Sequence, residues 1–313
     1  MRVLLIALFV VHGVCMAQEW PARPIRLIIP FPAGTTDILG RAYATRAQLG
    51  QPVVTENVPG ASGAIGYQRV ARAAPDGYTL AVASTGTFAV SPSVNPKVGY
   101  DPLRDFTPIA MYTRLPIVLV VHPDTPAQNV KELIDHAKRH PGELNYASVS
   151  PGTTSHILGE MMKLQAGIDV VHIPYKGGAP ALTALLAGEV HLLFSSLIEA
   201  MPHIQSGRIR ALGVADARRV AALPNVPTLP ELGLAMDTPI WYGLFAPAGT
   251  PEPIVRRIAA DLQRVAGNDD MKRFLAGQGG EATFLGPEPF REHLARELDK
   301  YGRVVREAML SAN

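Results

Sequence analysis

Short apolar runs recur along this chain, most of them followed by a loop of glycine, proline and hydroxyl residues and then by a stretch with helical spacing. The first run, 26–29, predicts a buried strand, and Pro30 and Pro32 end it because proline has no backbone donor for a ladder. Gly34 relaxes the backbone, and Thr35 or Thr36 offers an N-cap for a helix over 37–48. The pattern repeats as strand 52–57, loop 59–63, helix 64–73, a turn at Pro75-Asp76-Gly77 and strand 78–84. Strand 115–122 and an amphipathic helix over 129–140 come next. A second set runs through strand 144–149, helix 156–166, strand 170–175, helix 180–187 and strands 190–196 and 209–215. After a proline-rich connection at 223–230, strand 240–246 leads into helices 253–266, 271–276 and 289–310, which should pad the outside of the first set. Strand alternating with helix predicts an α/β fold, with parallel sheets covered by helices on their faces.

Sheets of this kind bind ligands beyond the carboxyl ends of their strands, where the strand order reverses. A loop that leaves a strand and enters a helix aims unpaired N–H groups and the positive dipole end at that place. An anion can be held there without lysine or arginine. Loop 30–37 of the first set has this form, as do 150–155 and 176–178 of the second, and loop 84–88, after the third strand, is a candidate to meet 30–37 there. Within them, Thr85 and Thr87 either bond a ligand or close their own turn, and His156 is either a ligand contact or a structural histidine. Tyr175 can donate to a carboxylate, whereas Lys176 is equally well a solvated charge. Trp241 and Tyr242 either line the cleft or pack in the core. Asp37 should point away from an anionic ligand and bond the amides of its own loop, because its charge would repel a carboxylate.

The 313 residues, 47% hydrophobic and 18% charged, are enough for one large domain or two smaller ones. Segment 1–17 reads as a secretory signal. Arg2 precedes the apolar run 3–11, which is too short to span a bilayer, and Ala17 suits the residue before a cleavage site. Cys15 raises the question of a lipid anchor, but His12-Gly13-Val14 is a poor context for one. It is also the only cysteine, so a chain cleaved after Ala17 has no disulfide, catalytic thiol or thiolate metal ligand. Losing Arg2 takes the formal charge from +2 to +1, which suggests neither nucleic acid nor anionic lipid as a partner. No G-x-S-x-G, H-E-x-x-H, phosphate-binding or dinucleotide loop is present, and no triad or carboxylate pair stands out. No catalytic residue, metal ligand or cofactor is therefore expected, and the chain does not read as an enzyme.

Ordered short motifs over nearly the whole chain resemble the Bug-type solute receptors of tripartite tricarboxylate transporters. They are 24–37, Glu56-Asn57-x-Pro59-Gly60-Ala61-x-Gly63-x-Ile65-Gly66, 75–80, Tyr100-Asp101-Pro102 and Tyr146-Ala147-Ser148. Gly152-Thr153-x-x-His156, Pro174-Tyr175-Lys176-Gly177, Pro202-His203-Ile204, Leu223-Pro224-x-Val226-Pro227-Thr228 and 246–251 complete the set. The resemblance implies a type II periplasmic binding protein with two α/β lobes joined by two crossing strands. Lobe 1 would hold 18–117 and 242–313, and lobe 2 would hold 118–241. It also implies a monomer that binds a small carboxylate between the lobes and hands it to membrane permease subunits. Carried onto this chain, the ligand-binding residues are Phe31, Ala33, Gly34, Thr35, Thr36, Asp37 and Thr85 in the first lobe. In the second they are Ser148, Ser150, Gly152, Thr153, Thr154, Tyr175, Lys176, Gly177 and Ser195. An exported enzyme on the same scaffold, or a receptor that feeds a sensor, are the alternatives.

The chain departs from the family pattern in five places. The first loop is one residue short before Thr36-Asp37, Val58 replaces a common arginine, and Ser150 stands near a usual glycine. His191 and Ser195 stand where acids are common. With Ser195 and Ser196 in place of an acid, the cleft lacks an evident partner for an ammonium, so the expected ligand is a mono- or dicarboxylate without an amino group. Glu199, one turn beyond, is the nearest acid that could supply one.

Overall fold

Residues 19–307 are described by the computed structural model. The leader 1–17 and Cys15 lie outside the described residues, as do positions 308–310 of the expected last helix. The chain begins as β1 (Ile25–Ile29), α1 (Thr35–Ala44), β2 (Val53–Asn57), α2 (Ala64–Ala71) and β3 (Thr79–Ser84). A wide helical turn at Gly86–Val90 then leads into the short α3 (Ser91–Val94), followed by β4 (Phe106–Leu115) and β5 (Ile117–Val121). The second set is α4 (Val130–Arg139), β6 (Asn145–Ser148), α5 (Thr154–Ala166), β7 (Val171–Pro174), α6 (Gly178–Leu186), β8 (Leu192–Ser196), α7 (Leu197–Gln205) and β9 (Arg210–Val214). The chain closes with β10 (Ile240–Pro247), α8 (Glu252–Gly267), α9 (Asp269–Gly277), β11 (Glu281–Leu285) and α10 (Pro287–Glu307).

The strands form two sheets, in the orders β11-β4-β10-β3-β1-β2 and β7-β6-β8-β5-β9. Both are mixed rather than parallel throughout. In the first, β1 runs parallel to β2 and β3, while β10 is antiparallel to β3 and β4. In the second, β6 is parallel to β7 and β8, while β5 is antiparallel to β8 and β9. The antiparallel strands are those that carry the chain between sheets. It leaves the first sheet where β4 passes through Pro116 into β5, and it returns as β10, whose Ile240 pairs with Leu115. These two crossings divide the fold into two α/β lobes.

Strand alternation sorts the core. Leu27 and Ile29 face one side of the first sheet with α1, α8 and α9, while Ile28 faces the other with α2 and α10. In the second sheet, Leu119 and Val121 pack with α4 and α5, and Val118 and Val120 with α6 and α7. Since both faces are covered, β3 and β5 are buried at every position, which is why they read as unbroken apolar runs. The terminal helices α8, α9 and α10 cover the first sheet, as their amphipathic patterns require.

Candidate functional site

In the first sheet β1 lies between β2 and β3, and in the second β6 lies between β7 and β8. The strand order reverses at β1 and at β6, so the loops leaving these strands open toward a common crevice. Four helices begin there, α1, α5, α6 and α7, each turning its positive dipole end toward the same space. The crevice holds a cavity of about 70 Å³, room for a few groups of water size. Thr35, Thr153, Gly178 and Ser196, from the four helix starts, are among its lining residues, with Tyr242 and Ile117 from the crossing strands. None of the lining residues is Lys, Arg or His, and Glu199 is the single carboxylate.

Glu199 sits on α7 in the second lobe, yet its partner is in the first. Helix α1 begins after Gly34 with no side-chain cap from its own loop. Instead the Thr35 amide donates to Glu199 Oε1 at 2.5 Å, and the Thr35 hydroxyl donates to the same oxygen at 2.7 Å. The carboxylate therefore fills the seat at the head of α1 where an anion from solution would otherwise rest. Two glycines make room for it. A Cβ on Gly34, whose φ is +150°, would lie 3.0 Å from Oε1, and one on Gly178 would lie 2.4 Å from Oε2. Burial pushes the Glu199 carboxyl above the ordinary carboxylate range, against the downward pull of the Thr35 hydroxyl and amide. Burial, and then the Glu199 charge, push the Tyr242 hydroxyl far above its ordinary value as well.

The second lobe supplies hydroxyls. Thr154 opens α5 and is 2% exposed, and its Oγ1 has no partner among the described residues. Gly86 of the first lobe packs against it so closely that a Cβ there would lie 3.0 Å away. Ser196 Oγ, at the start of α7, is likewise buried without a partner. Thr153 differs, for its hydroxyl donates to the Ser150 carbonyl at 2.6 Å and meets Ser155 Oγ at 3.1 Å. Ser195 donates its hydroxyl to the Ser196 carbonyl at 3.2 Å.

Among the residues singled out in the sequence, Phe31, Ala33, Gly34, Thr35, Thr36, Thr153, Thr154 and Ser195 come together around the cavity. Thr87 and Tyr242 also line it, while the others lie outside the lining. Asp37 does point away, but it bonds side chains rather than its loop's amides. It accepts from Arg41 Nε at 2.9 Å and from Asn57 Nδ2 at 2.9 Å, and Asn57 also holds the Phe31 carbonyl. Thr85 accepts from the Trp241 amide at 3.0 Å, and Thr87, which does line the cavity, is spent on Tyr67 and its own turn. Ser148 bonds His172 at 2.7 Å, Ser150 meets Ser62 across the cleft at 2.6 Å, and the Gly152 amide donates to His156 Nδ1 at 3.1 Å. His156 stacks on His172, and His172 on Tyr146, with centroids 4.3 and 4.8 Å apart. This stack supports the loop before α5 from behind. Gly177 donates its amide to the Val149 carbonyl, Tyr175 donates its amide to the Ser148 carbonyl, and Lys176 is exposed. Trp241 is a core residue, whereas Tyr242 reaches the cavity. Gly178 and Gly86 line the cavity but were not among the ligand-binding residues expected from the sequence, while Ser196 and Glu199 were named there only as a hydroxyl in place of an acid and as the nearest acid that could meet an ammonium. The one available signal for Glu199 was an acid a single turn beyond the end of strand 190–196.

The family model for the tripartite tricarboxylate transporter family receptor matches residues 41–310. The chain is 36% identical over 297 residues to protein BugT of Bordetella pertussis, covering 93% of this chain and 91% of that one. The structure of R. palustris Rpa4515 with adipate superposes with a TM-score of 0.90 at 35% identity, covering 94% of this chain and 99% of its own. MatC (Rpa3494) from Rhodopseudomonas palustris with bound malate gives 0.85 at 33%, covering 91% and 100%. No helix among the described residues is long and apolar enough to cross a membrane. Matched by this family model over residues 41–310 and by a relative 36% identical over 93% of its length, the chain belongs to the tripartite tricarboxylate transporter family receptors.

Proposed function

We propose that this protein captures a small carboxylate between its lobes and delivers it to the membrane permease of a tripartite tricarboxylate-type transporter. On this reading segment 1–17 directs export, residues 18–117 and 242–313 form one lobe, and 118–241 form the other. The observation that carries the proposal is the pair of buried, unpartnered hydroxyls, Thr154 Oγ1 and Ser196 Oγ, at the starts of two helices that line the cavity. A buried hydroxyl without a partner is destabilising, and a ligand oxygen arriving at these helix starts meets both hydroxyls and the positive dipole ends. Adipate and malate in the related structures are ligands of this chemistry. With no cation in the lining, the ligand is gripped by hydrogen bonds that are simple to release to a permease.

The test is native mass spectrometry of the purified protein, as isolated and with a panel of C4 to C6 aliphatic acids with and without amino groups. Small-angle scattering of the same samples reads closure. A bound carboxylate that shrinks the radius of gyration is the expected result. A protein that copurifies with no acid and binds none of the panel overturns the proposal.

A further inference from the structure

Glu199 is hard to reconcile with a ligand that offers only carboxylates. Its Oε1 is taken by two donors from Thr35, while no donor among the described residues reaches Oε2. Oε2 lies 2.4 Å from where a Gly178 Cβ would sit, and both Glu199 and Gly178 line the cavity. The lining contains no Lys, Arg or His to balance the charge. A dicarboxylate entering this space would bring more negative charge beside a half-satisfied acid in a poorly solvated site, where like charges repel strongly.

We propose that Glu199 determines specificity by receiving, on Oε2, a protonated nitrogen of the ligand, whose carboxylate goes instead to the starts of α5 and α7. The class is thus the small amino-carboxylates, and the inference rests on the carboxylate-receptor reading above. The geometry divides the cavity into two unlike ends. At one, α1 is already capped by Glu199, and the free acceptor is a carboxylate oxygen. At the other, the free groups are the hydroxyls of Thr154 and Ser196 at helix starts, which suit an anion. A zwitterion matches both ends, whereas a molecule with a carboxylate at each end matches one and is repelled at the other. The expectation from Ser195 and Ser196 of a ligand without an amino group assumed a cleft without an acid, and Glu199 supplies one. Burial raises the carboxyl of Glu199, and an ammonium against Oε2 would favour its ionised form.

The experiment is a calorimetric panel on the purified protein that pairs aspartate with succinate, glutamate with glutarate and 4-aminobutyrate with butyrate, with butylamine added. In at least one pair the amino compound should bind roughly tenfold or more tighter than its partner. Glu199→Gln and Glu199→Ala should both erase that preference, while each variant keeps a single cooperative melt. A wild type that binds only the deaminated acids overturns the inference, as does a preference that survives both substitutions, or silence of every amino compound. In the first of these cases the carboxylate-receptor reading stands. Binding of butylamine without binding of any carboxylate would sink that reading and, with it, the amino-carboxylate class.

Discussion

Neighbouring threonines at the start of α5 should respond to the same substitution with opposite signs. Thr154→Val removes a hydroxyl that is buried and has no partner among the described residues. An unmet buried polar group costs about 1–3 kcal/mol, and valine lowers helix propensity by only a few tenths of a kcal/mol. The unliganded variant should therefore gain about 1 kcal/mol, a rise of about 2–4 °C in melting temperature for a chain of this size. Thr153→Val breaks the bonds to the Ser150 carbonyl and to Ser155. At about 1 kcal/mol per neutral hydrogen bond it should lower the melting temperature by at least the same amount. Binding should separate the pair again. Thr154→Val forfeits a ligand hydrogen bond of about 0.5–1.5 kcal/mol, or roughly two- to twelvefold in Kd. The assays are thermal melts without ligand and calorimetry with the tightest compound of the panel. A Thr154→Val variant that melts lower and binds unchanged would refute the assignment of this hydroxyl to the ligand.

Two further perturbations probe what stands behind the cavity. Asp37→Ala frees Arg41 and Asn57 and so loosens the hold on the Phe31 carbonyl. It should cost about 0.5–1 kcal/mol of stability and speed amide exchange across 31–36 without removing a ligand contact; unchanged exchange there would count against the network. Burial first, and the neighbouring His156 charge second, lower the His172 pKa from 6.5 to about 4. The fold thus favours the neutral ring, so its contribution to stability is complete above pH 6.5 and is lost as the pH falls through about 4. A pH series of melts should show that acid limb, and His172→Phe, which retains a ring for the stack, should flatten it; a limb of unchanged steepness would put its origin elsewhere.

The strands were legible because burial on both faces leaves nearly continuous apolar runs, and the helix starts because glycine and threonine punctuate the loops before them. What was missed has both local and long-range causes. Pro108 interrupts the pattern of β4, where the structure accommodates it beside a shift in pairing with β10. Pro202 sits inside α7 and hides a helix that carries a central residue of the site. The uses of Thr85 and Glu199 depend on partners 156 and 164 positions away, the Trp241 amide and Thr35. No spacing rule reaches across such distances. Asp37 is an intermediate case, since the pairing with Arg41 at i+4 is readable in the sequence whereas the bond to Asn57 needs β2 to lie beside β1.

The Thr35–Glu199 bonds also decide how closure and selectivity are connected. They run from the first lobe's loop to the second lobe's helix, so parting the lobes would break them. A ligand carboxylate that took the seat at α1 would have to displace Glu199 and forfeit both. Hydrogen bonds to a charged group are worth about 1.5–3 kcal/mol each, so the displacing ligand must first recover that sum before it gains any affinity. A ligand that donates to Oε2 leaves Oε1 where it is and adds its own contact to the closed form. The two routes thus differ by the full strength of the Thr35 interaction, which favours entry of the ligand's anionic end at α5 and its donor end at Glu199. The carboxylate that caps α1 thereby ties the lobes together and turns away the ligands that would compete for its place.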